Sequence, residues 1–158
     1  LIVLAYGTNE AGHHIWTHES YRDMFSSVVQ RLRRAVPTAS ILVLGPPDRS
    51  YRYNGRWRTL DGVDMIIAAQ QEVSAANGCA FWDTRARMGG KGVMRQWVLA
   101  GLAQGDYVHL TAAGYRRMAE ALFHDLMEQY RAFAAAREEP GIEKVEDRTI
   151  NGQTNKAP

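Results

Sequence analysis

"LIVLAYGTNE", residues 1–10, opens on five apolar positions and turns polar at its end. An apolar residue at every position, rather than at alternate ones, marks a strand covered on both faces, as in a parallel sheet. The same pattern recurs in "ILVLG", 41–45, and in "CAFWD", 79–83, each ending in turn or polar residues. Three such strands separated by helical patterns predict an α/β fold: a three-layer α/β/α, doubly wound parallel sheet of flavodoxin-like order. Sheets of this kind bind ligands beyond the carboxyl ends of their strands, which directs attention to "GTNE" (7–10), "GPPDRS" (45–50) and "DTR" (83–85).

The intervening helices are read from their period. Tyr21, Met24, Phe25, Val28, Val29, Leu32 and Val36 repeat at helical spacing, with Ser20 and Asp23 as the opening pair and Pro37 as the stop. A second helix is expected from about Asp61, with Val63, Ile66, Ile67 and Val73 inward and a left-handed stop at Asn77-Gly78. A Gly-rich turn, "MGGKG" (88–92), precedes a short apolar helix around "VMRQWVLAGL" (93–102). The last helix has Thr111 as its cap. Tyr115, Met118, Ala119, Leu122, Phe123, Leu126, Met127 and Tyr130 make its apolar stripe. Residues 1–135 are expected to be part of one domain, and the charged, aperiodic 136–158 a disordered tail.

Composition excludes several classes. The 158 residues are 46% hydrophobic with a formal net charge of +2, and the arginines are spread along the chain, so nucleic acid is not an implied partner. "RLRRAVP" (31–37), the densest basic cluster, suits the end of a helix. Cys79 is the only cysteine and lies in an apolar run, where it reads as a small buried hydrophobe. No apolar run reaches the roughly 18 residues of a membrane span, and no cofactor or metal is implied. His13, His14 and His18 could offer a zinc pair at 14 and 18 if helical, but no third ligand stands at a standard spacing, and a solvated loop is the expectation. Trp16 and the aromatics of "YRYNGRW" (Tyr51, Tyr53, Trp57) either stack on sugars or cover the core from loops. "MGGKG" lacks the full phosphate-loop pattern and reads as a turn.

Two short stretches carry chemistry. In "DYVHLTAAGY", 106–115, an acid stands three residues before a histidine. A carboxylate on His Nδ1 would fix the tautomer and leave Nε2 as a base, or the pair could simply belong to a polar turn capping the helix. In "GTN", Gly7 allows a sharp turn and Asn9 sets an amide on the rim, as a donor to an oxyanion or as an ordinary turn residue.

Together, "YGTNE" and, about a hundred residues on, "DYVHLTAAGY" resemble the third and fifth blocks of the SGNH hydrolases, or GDSL-type esterases, over residues 1 to about 130. The resemblance implies a serine esterase: His109 and Asp106 as base and acid of a Ser-His-Asp triad, Asn9 in the oxyanion hole on the turn made by Gly7. The substrate implied is a small-molecule or carbohydrate acyl ester, the closest similarity being to bacterial enzymes that deacetylate carbohydrate or cell-wall O-acetyl groups, with an extracytoplasmic setting favoured.

The first block, a Gly-Asp-Ser carrying the nucleophile, does not occur, nor does the second; Ser50 is the one serine near a strand end and a poor substitute. The expectation is that Leu1 begins at the family's third core strand and that the chain is the C-terminal portion of an enzyme, inactive alone. Alternatives are a non-catalytic carbohydrate-binding domain on the same fold, an O-acyltransferase using the same triad, and a flavodoxin-like nucleotide binder, against which "LIVLA" lacks a phosphate-cradling loop.

Overall fold

The computed structural model describes residues 1–138. In chain order the elements are β1 (Ile2–Ala5), a single 3₁₀ turn (Glu10–Gly12), α1 (His18–Ala35), β2 (Ile41–Leu44), β3 (Ser50–Tyr53) and β4 (Arg56–Thr59). They continue as α2 (Gly62–Ala76), β5 (Ala80–Trp82), α3 (Thr84–Met88), α4 (Met94–Leu99) and α5 (Ala112–Glu138).

The three expected strands pair in parallel in the order β1-β2-β5, with Leu4 opposite Val43 and Leu42 opposite Ala80. Both crossovers step the same way along the sheet, and right-handed connections then put both helices on one face. There α1 and α2 bury Tyr21, Phe25, Val29, Val63 and Ile66 against Leu4, Ile41 and Val43. Each such side chain taken out of water contributes about 1.5–3 kcal/mol before entropy is counted. A second cluster, built from Met88, Met94, Trp97, Leu110 and Met118, joins α3, α4 and α5. The layers are α, β, α, as the sequence implies.

Two boundaries and one face differ from expectation. The cap of α1 is Thr17, not Ser20: Thr17 Oγ1 accepts from Ser20 N at 3.1 Å while Ser20 Oγ accepts from Thr17 N at 3.0 Å. Ser20 is thus the third residue of a reciprocal box, with a hydroxyl where a Glu or Gln is usual. Of the expected stripe on α1, Val36 lies beyond the last turn and is exposed. Asp61 and Asn77 bound α2 as expected, with Gly78 at φ +59°.

The stretch "YRYNGRW", expected either to stack on sugars or to cover the core from loops, is a hairpin. Asn54 (φ 47°) and Gly55 (φ 75°) form its two-residue turn, and Tyr53 pairs with Arg56 across it. Positive φ at both central positions matches the twist of the flanking strands, the reason Asn-Gly is favoured there.

Residues Leu1–Asp125 form one compact unit and the part of α5 from Leu126 another. Within the first unit only Met118 of the expected stripe is buried; Tyr115 and Phe123 are exposed. In the second, Leu126, Tyr130 and Phe133 are exposed, and the Arg137 guanidinium lies 5.3 Å from the Phe133 ring centre. The helix continues to Glu138, and the rest of the tail expected from 136 lies outside the described residues.

The start of α5 has little room. Thr111 N donates to Leu102 O at 3.0 Å, Thr111 Oγ1 caps Gly114 N at 3.2 Å, and a Cβ on Gly114 would strike the Leu102 carbonyl. Gly114→Ala is expected to destabilise the fold by about 1–3 kcal/mol through this overpacking. Thermal melting checks it, and an unchanged midpoint contradicts the packing described.

Candidate active site

The chain leaves β1 through Gly7, whose φ of +112° and whose approach to Ile66, 2.6 Å from where a Cβ would stand, admit no larger residue. The loop that follows is held at each peptide. Tyr6 O accepts from Gln70 Nε2 at 3.0 Å, Gly7 N donates to Glu10 Oε2 at 3.1 Å, and Thr8 O accepts from Arg49 Nη1 at 2.9 Å. Asn9 then opens the 3₁₀ turn with its carbonyl accepting from Gly12 N, while its exposed side-chain amide bonds to no described residue. A fixed backbone carrying a free amide is the arrangement an oxyanion donor requires.

At the start of α5, Asp106 gathers three donors. Its Oδ2 lies 2.7 Å from His109 Nδ1, and its Oδ1 accepts from Val108 N at 2.9 Å and from His109 N at 3.0 Å. The side-chain bond from His109 leads, with the backbone N–H groups of His109 and Val108 adding to it, in lowering the carboxyl from 3.8 to about 2. The helix cap is a separate group, Thr111, so Asp106 and His109 are not spent on starting α5. Gln104 N donates to His109 O at 2.7 Å and closes the turn from the other side.

Between the two lies Tyr107, a bulky residue at φ +61°. That conformation is strained for a side chain of this size and persists only where neighbours enforce it. The hairpin does so: Trp57 stacks on the Tyr107 ring with centroids 3.6 Å apart, and Ser50 N donates to Tyr107 O at 3.1 Å.

Asn9 and His109 line one cleft of about 470 Å³, walled by apolar groups such as Leu44, Pro46, Trp82 and Leu122. No serine lines it. Ser50 is buried at the start of β3, away from this cleft.

The other expected features resolve differently. His14 and His18 share no helical face, because α1 begins at His18, which sits 3.2 Å from Glu72 Oε1. Trp16 packs edge-on against Tyr21, centroids 5.7 Å apart, and covers the core. Tyr51 and Tyr53 stay exposed on the hairpin. In "MGGKG", three glycines take positive φ and Lys91 pairs with Asp64, so the segment is a turn tied to α2. Cys79 is half-buried rather than buried. Arg49, Gln70, Trp57 and Tyr107 were not singled out for the site from sequence, except Trp57 as an aromatic wall; for Arg49 and Gln70 no local pattern announces a partner forty to sixty residues away.

A parallel sheet between helices thus carries a free amide and an Asp-bonded histidine on its carboxyl rim. The chain belongs to the GDSL-like Lipase/Acylhydrolase family, whose model matches residues 1–117. A solved peptidoglycan O-acetylesterase is 30% identical, with a TM-score of 0.77 over 82% of this chain and 37% of that one. A lipase/acylhydrolase from Enterococcus faecalis (19%, TM-score 0.54, 80% of this chain and 60% of that one) shares the fold. So does an esterase domain from a zebrafish retrotransposon protein (21%, 0.53, 77% and 65%). The chain thus spans 37% to 65% of the length of these structures. A comparison with curated protein sequences finds no match.

The lowered carboxyl sets the acid limit of the pair. Because the folded pKa lies below the unfolded one, the stability contributed by Asp106 is complete above about 3.8 and is lost as pH falls through about 2. Carboxyl NMR titration is expected to show Asp106 protonating near that lower value, together with a shift of the His109 Nδ1 resonance. A midpoint at the free-carboxyl value contradicts the hydrogen bonds described.

Proposed function

We propose that this chain supplies the acid-base arm and an oxyanion donor of an acyl-ester hydrolase that works through a serine, acting on O-acetyl esters of carbohydrate or cell-wall polymers. The observation that carries the reading is the 2.7 Å contact of His109 Nδ1 with Asp106, made by a histidine that lines the same cleft as the free amide of Asn9.

With its Nδ1 proton donated to Asp106, His109 presents a basic Nε2. It takes the proton of a serine hydroxyl as that oxygen bonds to the ester carbonyl carbon, and Asn9 donates to the oxygen that gains the charge. The imidazolium, stabilised by an aspartate that stays ionised far below neutral pH, returns the proton to the departing alkoxide. Water then repeats the sequence on the acyl enzyme, with His109 again the base.

The nucleophile in this proposal is a serine from outside these 158 residues. Of the six serines present, none follows Gly-Asp and none lines the cleft with His109. The edge of β1 supports it: among the described residues β1 pairs only with β2, and Val3 is half exposed. A strand laid along that edge would end on the rim beside Asn9. Support for the substrate class is the resemblance to a peptidoglycan O-acetylesterase.

In the full-length natural protein, His109→Ala is expected to abolish acetate release from an acetylated glycan, and Asn9→Ala to lower kcat by about 10²–10³-fold, the effect of one lost oxyanion donor. The 158-residue chain alone is expected to turn over a simple acetyl ester negligibly. Wild-type rates in His109→Ala would refute the assignment, and robust activity of the isolated chain, blocked by a serine-directed reagent, would place the nucleophile within it.

A further inference from the structure

We propose that the β3–β4 hairpin and the Asp106–Val108 turn form a second subsite, which takes a sugar bearing a carboxylate beside the sugar that carries the ester. Its position relative to the substrate rests on the hydrolase reading above. Its chemistry rests on the residues themselves.

A cleft of about 350 Å³ lies between hairpin and turn, lined among others by Arg49, Tyr51, Arg52, Trp57, Asp106 and Tyr107. Val108 lines both this cleft and the one that holds His109, so the two meet at the turn. A glycan crossing that turn would set neighbouring units in the two clefts. The floor is the Trp57–Tyr107 stack, rigid because Tyr107 is fixed by its backbone bonds, and flat aromatic bodies with a few placed polar groups are the usual lining of a small-molecule site.

Charge names the substituent. In a chain of net charge +2, residues 46–60 hold four arginines, at 49, 52, 56 and 58, against one acid, Asp48. Asp48 is fully buried and its Oδ2 accepts from Met94 N at 2.9 Å, so it does not offset the arginines at the surface. Arg95 and Arg58 line the adjoining cleft on the other side of Trp57. The single carboxylate facing the proposed subsite, Asp106, is already engaged by His109 and two backbone N–H groups. Guanidinium groups recognise a planar carboxylate through paired N–H bonds. Arg49 has donors to spare, since its bond to Thr8 O uses one of five. That bond also ties the subsite to the peptide preceding Asn9.

The test is calorimetric titration of the unsubstituted full-length protein with ligands that carry no ester, so that nothing turns over and Asp106 keeps its His109 partner. Two carboxylated probes, a hexuronate oligosaccharide and an oligosaccharide of lactyl-ether amino sugars, are compared with the same chains after reduction of their carboxyls to alcohols. At least one carboxylated form is expected to bind about tenfold or more tightly than its reduced counterpart, as loss of a charge-assisted hydrogen bond implies, and the tighter one identifies the glycan. The gap is expected to narrow with salt, to vanish in Arg52→Gln, and to remain in Arg56→Gln, whose side chain lines neither cleft. Equal binding of the reduced chains, or an undiminished gap in Arg52→Gln, overturns the proposal. Ester hydrolysis by the unsubstituted protein is scored separately: inactivity with the gap intact rejects the hydrolase reading and leaves the subsite standing.

Discussion

The close approach of Gly7 to Ile66 is the constraint on which the remaining geometry turns. It lets α2 lie directly under the exit from β1, and one helical turn beyond Ile66 stands Gln70, fully buried. From there a single side-chain amide donates to Tyr6 O at 3.0 Å and to Tyr21 Oη at 2.9 Å. Burial pushes the Tyr21 phenol up to about 12, against the opposing effect of the Gln70 bond, so the hydroxyl stays protonated and the network keeps one form across the ordinary pH range. One stripe of α2 therefore fixes the strand exit, the inner face of α1 and the first peptide of the loop that carries Asn9.

The two halves of the site are built on different principles. The Asp106–His109 pair is local: Asp106, Val108 and His109 close on one another within four residues, and the turn is sealed by Gln104 and Thr111. Asn9 is placed by tertiary partners, with Gln70 and Arg49 reaching from elements far along the chain and Glu10 contributing from within the loop. Local closure suits a pair whose mutual geometry must be tight. In the proposed reaction, tertiary placement suits a donor that must be set against an atom of the substrate rather than against its own neighbours.

What the sequence disclosed follows the same division. The three parallel strands, the bounds of α2, the Thr111 cap and the spacing of Asp106 and His109 are local patterns, and each is realised, although only β2 is covered on both faces as the apolar runs imply, since Val3 of β1 and Ala80 of β5 are exposed. The Asn54-Gly55 hairpin carries an equally local signal, aromatic and cationic residues alternating in Tyr51-Arg52-Tyr53 and Arg56-Trp57-Arg58 about an Asn-Gly pair, which the reading of those aromatics as loop residues overlooks. Ser20 is an acceptable cap by residue type, and the reciprocal hydroxyl bonds move the cap three residues earlier, to Thr17. The stripe on α5 shows the limit of periodicity: it reports which residues share a face and is silent on whether anything covers that face, as exposed Tyr115 and Phe123 demonstrate. Arg49 and Gln70 were illegible for a further reason. A polar residue gains meaning from the group it meets, and theirs lie some forty and sixty residues away.

The hairpin joins the two halves. Through Trp57 and Ser50 it holds Tyr107 in a left-handed conformation that the turn would not keep unaided, and Arg49, in the chain leading into it, holds Thr8 next to Asn9. The strain at Tyr107, of order 1–3 kcal/mol, is borne by these contacts. An insertion between β2 and α2 that contributes no strand to the main sheet thus bears on the Asp106–His109 turn and the Asn9 loop at once. The hairpin and the chain leading into it support the Asp106–His109 turn from one side and the Asn9 loop from the other.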